Sequence, residues 1–136
     1  MAEPPVPRVV VADDDPDIVD ILRMNLTAVG YEVLVAHDGE AARDLVLQAL
    51  PDLVVLDVMM PKMDGFEVLA SIRARPQTRD IPVVMLTARS GDNDVWQGWQ
   101  SGADYYLTKP FDLEELLRFI DYLHVNGRAV TDEAVP

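Results

Sequence analysis

Acidic side chains directly follow two of the apolar segments of this 136-residue chain. In LVVLDVMMPKMDG, four apolar residues run into Asp57, and the chain then breaks at Pro61 and Gly65. In VVVADDDPD, an apolar segment ends in the run Asp13 to Asp15. Carboxylates that converge repel one another and bind protons more tightly, unless a cation lies among them. Because Mg²⁺ prefers oxygen ligands and keeps several waters, these segments indicate a magnesium site.

Two further apolar segments also end in polar residues that could act on an anion. The last one ends at Lys109, which Pro110 follows, and the fourth ends at Thr87, which the small Ala88 follows. An ammonium group would add a second cation, and a hydroxyl group would add a hydrogen-bond donor. A lone lysine or threonine at a strand end is usually just solvated, but together these residues predict one shared site.

The apolar periodicity predicts the elements that position these side chains. Short apolar runs at 9–12, 33–36, 53–56, 83–86 and 105–107 have the length of buried parallel strands. Between and after them, helical spacing is clear around residues 18–29, 41–49 and 113–120. Asp15, before Pro16, is interpreted mainly as a helix N-cap, and Asp112 with Glu115 as a variant capping box.

Five strands alternating with five helices predict an α/β fold with an open, doubly wound parallel sheet. We expect the flavodoxin-like strand order 2-1-3-4-5, with helices on both faces. In such a sheet the ligand site lies beyond the carboxyl ends of the strands, where the strand order reverses. The first and third strands would then be neighbours, and their acidic ends would converge.

Length, composition and charge restrict the class of protein. The chain is long enough for one domain, predicted at residues 8–123, with tails at 1–7 and 124–136. A net charge of −13 argues against direct binding of nucleic acid or an anionic membrane. There is no apolar run of the ~20 residues that a membrane span needs, so a soluble, cytoplasmic protein is expected. Cysteine is absent, which excludes disulfides and thiolate chemistry.

Four ordered motifs carry a resemblance to a known family. The acidic pair Asp13 and Asp14, LDVMMPKMDG around Asp57, LTAR around Thr87 and GADYYLTKPF around Lys109 resemble the receiver domain of bacterial two-component response regulators. The resemblance spans about residues 8–123. It implies that Asp57 accepts a phosphoryl group from a histidine kinase or a phosphotransfer protein, and that the chain catalyses only its own phosphorylation and dephosphorylation.

The resemblance also implies roles at the metal site. Asp14 and Asp57 would bind Mg²⁺ directly, Asp13 would act through water, and Met59 would contribute its backbone carbonyl. Catalysis of phosphoryl transfer is mostly positioning and electrostatic stabilisation.

The remaining implied roles concern the phosphoryl group and the switch. Lys109 and Thr87 would stabilise the transferring group, and the bond before Pro110 is typically cis in the family. Thr87 and Tyr106 would form the switch, with Thr87 moving toward the phosphoryl group and Tyr106 filling the space. The alternative is that Tyr106 is simply an amphipathic tyrosine at the edge of the core, and the two roles are compatible.

The resemblance also concerns the lifetime of the phosphoryl group. Met59 and Arg89 stand at the family positions that flank the path of a hydrolytic water, so slow autodephosphorylation is expected.

One face of the chain departs from the family pattern. In the winged-helix class a charged pair usually supports a symmetric dimer, but Tyr105 and Phe119 occupy those positions here. We expect four aromatic residues, named here the output face, to support a homodimer or partner docking: Trp99, Tyr105, Phe119 and Tyr122. Local packing of these rings, without a partner, has equal weight.

Three rival functions belong to other classes of protein. A flavin-binding module would need a phosphate loop where DDDPD would instead repel phosphate. A haloacid dehalogenase-like phosphatase would need a carboxylate two residues after Asp57, where this chain has Met59. The main alternative is a receiver-like binding module that works without phosphorylation.

Overall fold

Five parallel strands form one sheet in the computed structural model, which describes residues 6–87 and 102–127. The strand order is β2-β1-β3-β4-β5, which confirms the predicted topology. Each strand is one residue longer than predicted, because a flanking polar residue also joins the ladder. The strands are β1 (Arg8–Ala12), β2 (Glu32–Ala36), β3 (Leu53–Asp57), β4 (Val83–Thr87) and β5 (Tyr105–Thr108).

Each of the four helices within the described residues begins at an aspartate N-cap. The helices are α1 (Pro16–Ala28), α2 (Gly39–Ala49), α3 (Gly65–Arg73) and α4 (Leu113–Asn126), capped by Asp15, Asp38, Asp64 and Asp112. In each cap the carboxylate accepts a backbone N–H of the first turn, which would otherwise have no partner within the helix. The predicted helix between the fourth and fifth strands lies at residues outside those described.

Alternate residues of each strand face two separate cores. Val9, Val11, Leu53 and Val55 pack with the apolar residues of α1 and α4, which lie on one face of the sheet. The intervening strand residues pack with α2 and α3 on the other face. Both faces of the sheet are therefore buried, which explains why the strands are continuous apolar runs without polar alternation.

The helices differ from the predicted pattern in three places. On α1 the buried stripe is Val19, Leu22 and Leu26, while Ile21 and Val29 are exposed, because only a narrow stripe of this helix reaches the sheet. The helix α4 continues three residues past the boundary predicted at 123 and ends at Asn126 before Gly127. Asp112 caps α4 as predicted, but the Glu115 carboxylate accepts a hydrogen bond from the Tyr105 hydroxyl, a contact that the capping-box interpretation did not include.

Among the described residues, the longest helices are amphipathic, and none is long and apolar enough to cross a membrane.

Candidate functional site

Asp57 is the last residue of β3 and is almost completely buried. The next residue, Val58, still donates its N–H to the Leu86 carbonyl of β4 at 2.8 Å, so the strand end is held in place. The chain then returns so closely that a Cβ on Gly65 would clash with the Asp57 carbonyl oxygen. Glycine at this position therefore lets α3 begin directly behind the carboxylate.

The ammonium group of Lys109 lies between two of the predicted site carboxylates. Its Nζ is 2.9 Å from Oδ2 of Asp13 and 3.4 Å from Oδ2 of Asp57. The Asp13 side chain has no exposed surface, and the Lys109 side chain is 18% exposed. The first, third and fifth strands thus bring their terminal charges to one point, as their parallel arrangement predicts.

Asp14 completes a group of carboxylates that could hold a metal ion. One oxygen atom each from Asp13, Asp14 and Asp57 lie within 4.8 Å of one another. Asp14 is exposed whereas the other two are buried, so the group opens to solvent on one side. An oxygen-only set of ligands with room for water fits Mg²⁺. Met59, predicted as a further ligand through its carbonyl, lies beside the group and donates its N–H to Oδ1 of Asp57 at 3.3 Å.

The site shifts the proton affinities of its two central groups. Burial raises the pKa of the Asp57 carboxyl to about 7, and repulsion from Asp13 contributes to the rise against the opposing effect of Lys109. Burial disfavours the charged form of Lys109, but its hydrogen bond and its attraction to Asp13, with further attraction to Asp57, outweigh burial and raise the pKa of the ammonium group. The Asp57 carboxyl group therefore ionises more readily when another cation joins the site.

The residues predicted for the switch lie on β4 and β5. Thr87 is buried at the end of β4, and its carbonyl accepts the Lys109 N–H at 2.6 Å. Tyr106 is half-buried and packs against the core formed with α2 and α3. The bond between Lys109 and Pro110 is cis, the isomer that the resemblance implies.

Two of the predicted aromatic residues of the output face contact each other. The rings of Tyr105 and Phe119 stack with centroids 3.6 Å apart and planes 21° from parallel. Tyr122 is 56% exposed, and a surface groove of about 410 Å³ is lined by Phe119, Tyr122, Glu115 and Arg118. For Tyr105 and Phe119, local packing is therefore present. Trp99 of this face, and Arg89 of the dephosphorylation prediction, lie outside the described residues.

Sequence reasoning missed a buried ion pair near the amino end of β5. Arg73, the last residue of α3, lies 3.0 Å from the Asp104 carboxylate through its Nη2. Both side chains are largely buried, with exposures of 13% and 0%. The sequence does show a charged residue, Asp104, directly before an apolar strand, which could have drawn attention to it. Nothing in the sequence identifies Arg73 as its partner.

The fold and the site define the class of protein. Residues 9–121 match the sequence profile of the family described as the response regulator receiver domain. The chain belongs to this family, as its motifs predicted.

Particular relatives support the same assignment. The chain is 51% identical over 112 residues to the DNA-binding dual master transcriptional regulator RpaA of Synechocystis sp. (strain ATCC 27184 / PCC 6803 / Kazusa). That match covers 82% of this chain and 46% of the relative, so the chain spans about half the length of the curated relative.

Solved structures agree with the fold. The receiver domain of the Francisella response regulator 1452 superposes with a TM-score of 0.81 and 36% identity, covering 88% of this chain and 97% of that one. The receiver domain of the sensor histidine kinase PA1611 of Pseudomonas aeruginosa PAO1 gives a TM-score of 0.82 at 27% identity, covering 90% and 100%. In that second structure a magnesium ion is coordinated in the active site cleft.

Proposed function

We propose that the chain is a phosphoacceptor that receives a phosphoryl group on Asp57 from a histidine kinase or a phosphotransfer protein. One observation carries the proposal: Lys109 lies 2.9 Å from Asp13 and 3.4 Å from Asp57, at the ends of three different strands. Such convergence of buried charges costs desolvation and is weak evidence for stability, which favours a functional reason for it.

The transfer forms one bond and breaks one. The carboxylate of Asp57 attacks the phosphorus of a phosphohistidine, an O–P bond forms, and the N–P bond to the imidazole breaks. The imidazole leaves with the electron pair of that bond and takes a proton. Charge builds on the equatorial oxygens of the phosphoryl group, and fixed positive charge or donors near them lower the barrier.

The residues of this chain have separate parts in that step. Asp57 is the nucleophile and must be ionised. Lys109 already contacts Asp57 and supplies a positive charge, and Thr87 offers a hydroxyl donor from the next strand. Mg²⁺ would be held by Asp14 and Asp57 directly, with Asp13 acting through water and the Met59 carbonyl as a further ligand. When bound, it would supply positive charge to the phosphoryl oxygens and favour the ionised form of Asp57.

The proposal extends to the consequences of phosphorylation. The chain catalyses only its own phosphorylation and dephosphorylation and has no separate substrate. Thr87 and Tyr106 act as the two-state element that the phosphoryl group biases, and the output face then supports a homodimer or partner docking. The net charge of −13 supports signalling without direct contact between this chain and nucleic acid.

Mass spectrometry after incubation with Mg²⁺ and acetyl phosphate tests the proposal. The expected result is the gain of one phosphoryl group, which is absent in Asp57→Ala. Asp20→Ala is the matched control, because Asp20 is an exposed aspartate on α1 that pairs at the surface with Arg23. A parent chain that gains no phosphoryl group would favour the alternative of a receiver-like binding module that works without phosphorylation. Gain of a phosphoryl group by Asp57→Ala would instead show that another residue is the acceptor.

A further inference from the structure

The ion pair between Arg73 and Asp104 lies at the opposite end of β5 from Lys109. Removing both charges from water is costly, so a buried pair of this kind adds little net stability by itself. Its partners in the structure indicate a geometric role.

Arg73 joins three segments of backbone. Its Nε donates to the Gly102 carbonyl at 3.0 Å, and its Nη1 donates to the carbonyls of Arg79 at 3.0 Å and Ile81 at 2.7 Å. One planar side chain therefore links the end of α3, the approach to β4 and the approach to β5. Lysine carries the same charge, but its single ammonium cannot reproduce this set of directed donors.

Asp104, directly before β5, contacts the first residue of β4 through two hydrogen bonds. Its carboxylate accepts the Val83 N–H at 2.8 Å, and its own N–H donates to the Val83 carbonyl at 2.9 Å. Asp104 thus holds both polar backbone groups of the first residue of β4. This matters because β5 is a strand of four residues at the edge of the sheet and, among the described strands, pairs only with β4. An edge strand has a partner on one side only, so fewer backbone hydrogen bonds specify its register than in an inner strand, and contacts at its ends weigh more.

The position of Lys109 depends on that register. A slip of one residue would move Lys109 by about 3.3 Å and turn its side chain to the other face of the sheet. The contacts of its ammonium at 2.9 and 3.4 Å would not survive either change.

We propose that Arg73 and Asp104 are positioning residues that hold β5 in the register required for Lys109 to contact Asp57. They would act over roughly 17 Å, the length of five residues in an extended strand. The inference rests on the proposed function, in which Lys109 assists phosphoryl transfer, and adds a role for two residues that touch none of the reacting atoms.

A double-mutant cycle on the full chain tests the inference. The rate of phosphorylation by acetyl phosphate is measured at saturating Mg²⁺, at a temperature where every variant is folded. Arg73→Lys is expected to lower this rate roughly ten- to a hundred-fold, the size of effect that a small misplacement of a catalytic group produces. In a Lys109→Ala background, Arg73→Lys is expected to cause no further loss, because the residue that it positions is gone.

Thr78→Val is the matched control for stability. The Thr78 hydroxyl is buried and donates to the Ile72 carbonyl at 2.7 Å, in the same connection between α3 and β4. This variant should lower the melting temperature without changing the phosphorylation rate of the folded chain. Equal rate losses in Thr78→Val and Arg73→Lys, or an undiminished effect of Arg73→Lys without Lys109, would overturn the inference.

Hydrogen exchange gives a readout that needs no phosphodonor. The Lys109 amide donates to the Thr87 carbonyl, so its exchange should speed up in Arg73→Lys and stay at the parent rate in Thr78→Val. If Arg73→Lys does not fold, Asp104→Asn can replace it in this experiment. The side-chain oxygen of asparagine can still accept the Val83 N–H, but it carries no negative charge to pair with Arg73. An unchanged Lys109 exchange rate in the folded variant would refute the positioning role. A parent chain that gains no phosphoryl group would instead refute the proposed function.

Discussion

Asp57 lies where burial and a neighbouring carboxylate both oppose its charge. A nucleophilic carboxylate is useful only when ionised, so this environment leaves the residue dependent on added positive charge. Lys109 supplies part of that charge at 3.4 Å, and the open side at Asp14 leaves room for a metal ion to supply the rest. In the proposed function, the placement of these residues would therefore tie the nucleophilicity of Asp57 to metal binding.

The raised pKa of Asp57 predicts how stability depends on pH without Mg²⁺. Between its ordinary value of 3.8 and about 7, the folded chain holds a proton that the unfolded chain releases. The stability from this proton is fully present below about pH 4 and is lost as the pH rises through about 7. Asp57→Asn lacks this loss, so the difference between its melting temperature and that of the parent should increase in its favour between about pH 4 and about pH 7 in chelator.

The exposed Asp20→Asn serves as the control for that comparison. The difference in melting temperature between Asp20→Asn and the parent chain should not change with pH, because Asp20 is exposed and pairs at the surface. If the difference in melting temperature between Asp57→Asn and the parent also stays constant with pH, the raised pKa of Asp57 is contradicted.

Asp14 permits a clean test of the metal site. Asp14→Ala should leave the metal-free chain at least as stable as the parent, because the side chain is exposed and its loss removes repulsion with Asp13 and Asp57. Mg²⁺ that binds the native chain should raise the melting temperature of the parent by mass action, and Asp14→Ala should abolish that rise. Thermal unfolding over a Mg²⁺ titration measures both effects, and an undiminished rise in the variant would remove Asp14 from the site.

We expect Met59 and Arg89, at the family positions that flank the path of a hydrolytic water, to prolong the phosphorylated state. Hydrolysis needs a water in line with the O–P bond, and the thioether of Met59 cannot orient one. The Met59 side chain is 62% exposed beside the carboxylates, so its substitution leaves the core intact. Met59→Asn together with Arg89→Glu should speed loss of the phosphoryl group, monitored by mass spectrometry after the phosphodonor is removed. Unchanged or slower decay would count against shielding by these residues.

At the scale of elements, β5 connects the site to the output face. Its last residue precedes Lys109, while Tyr105 at its start stacks on Phe119 of α4 and donates to Glu115 at 2.9 Å. Burial raises the pKa of the Tyr105 hydroxyl, and the Glu115 carboxylate adds to the rise, so this hydrogen bond persists at neutral pH. The stack is worth about 0.5–1.5 kcal/mol beyond the area it buries.

The aromatic character of the output face predicts association that depends weakly on salt. Sedimentation of the phosphorylated chain should show self-association that persists at high salt, because little of it rests on exposed charge pairs. Phe119→Arg should abolish it by breaking the stack and adding charge. Met24→Arg, at a 70% exposed position on α1, should leave it intact. Association that collapses at high salt, or survives Phe119→Arg, would exclude this face.

At the scale of the whole molecule, the net charge of −13 opposes compaction. Raising the ionic strength from about 0.01 M to about 0.15 M shortens the screening length from about 30 to about 8 Å. The melting temperature in chelator should therefore rise with NaCl alone. A flat or falling melting temperature would show that attractive surface pairs outweigh the net repulsion. Mg²⁺ titrations should accordingly be made at constant ionic strength.

The sequence by itself determined the sheet, its order and the charged ends of its strands. Strand positions could be predicted from apolar runs that must be buried on both faces, and helix starts from aspartates such as Asp15 and Asp112. These signals are local, because periodicity and capping involve residues within a few positions of each other. The convergence of Asp13, Asp57 and Lys109 could be predicted once parallel strands fixed which ends meet.

Only the tertiary structure decided which distant side chains meet. Arg73 and Asp104 are 31 positions apart, and their pairing depends on how α3 ends against β5. The stack of Tyr105 on Phe119 depends on the rotation of α4 over the sheet edge, which an apolar stripe defines only to within neighbouring residues. Gly39 shows the same limit: a Cβ there would clash with the Met63 carbonyl, a contact between the start of α2 and the loop before α3. Such contacts arise from packing in three dimensions, and a pattern read along one dimension does not contain them.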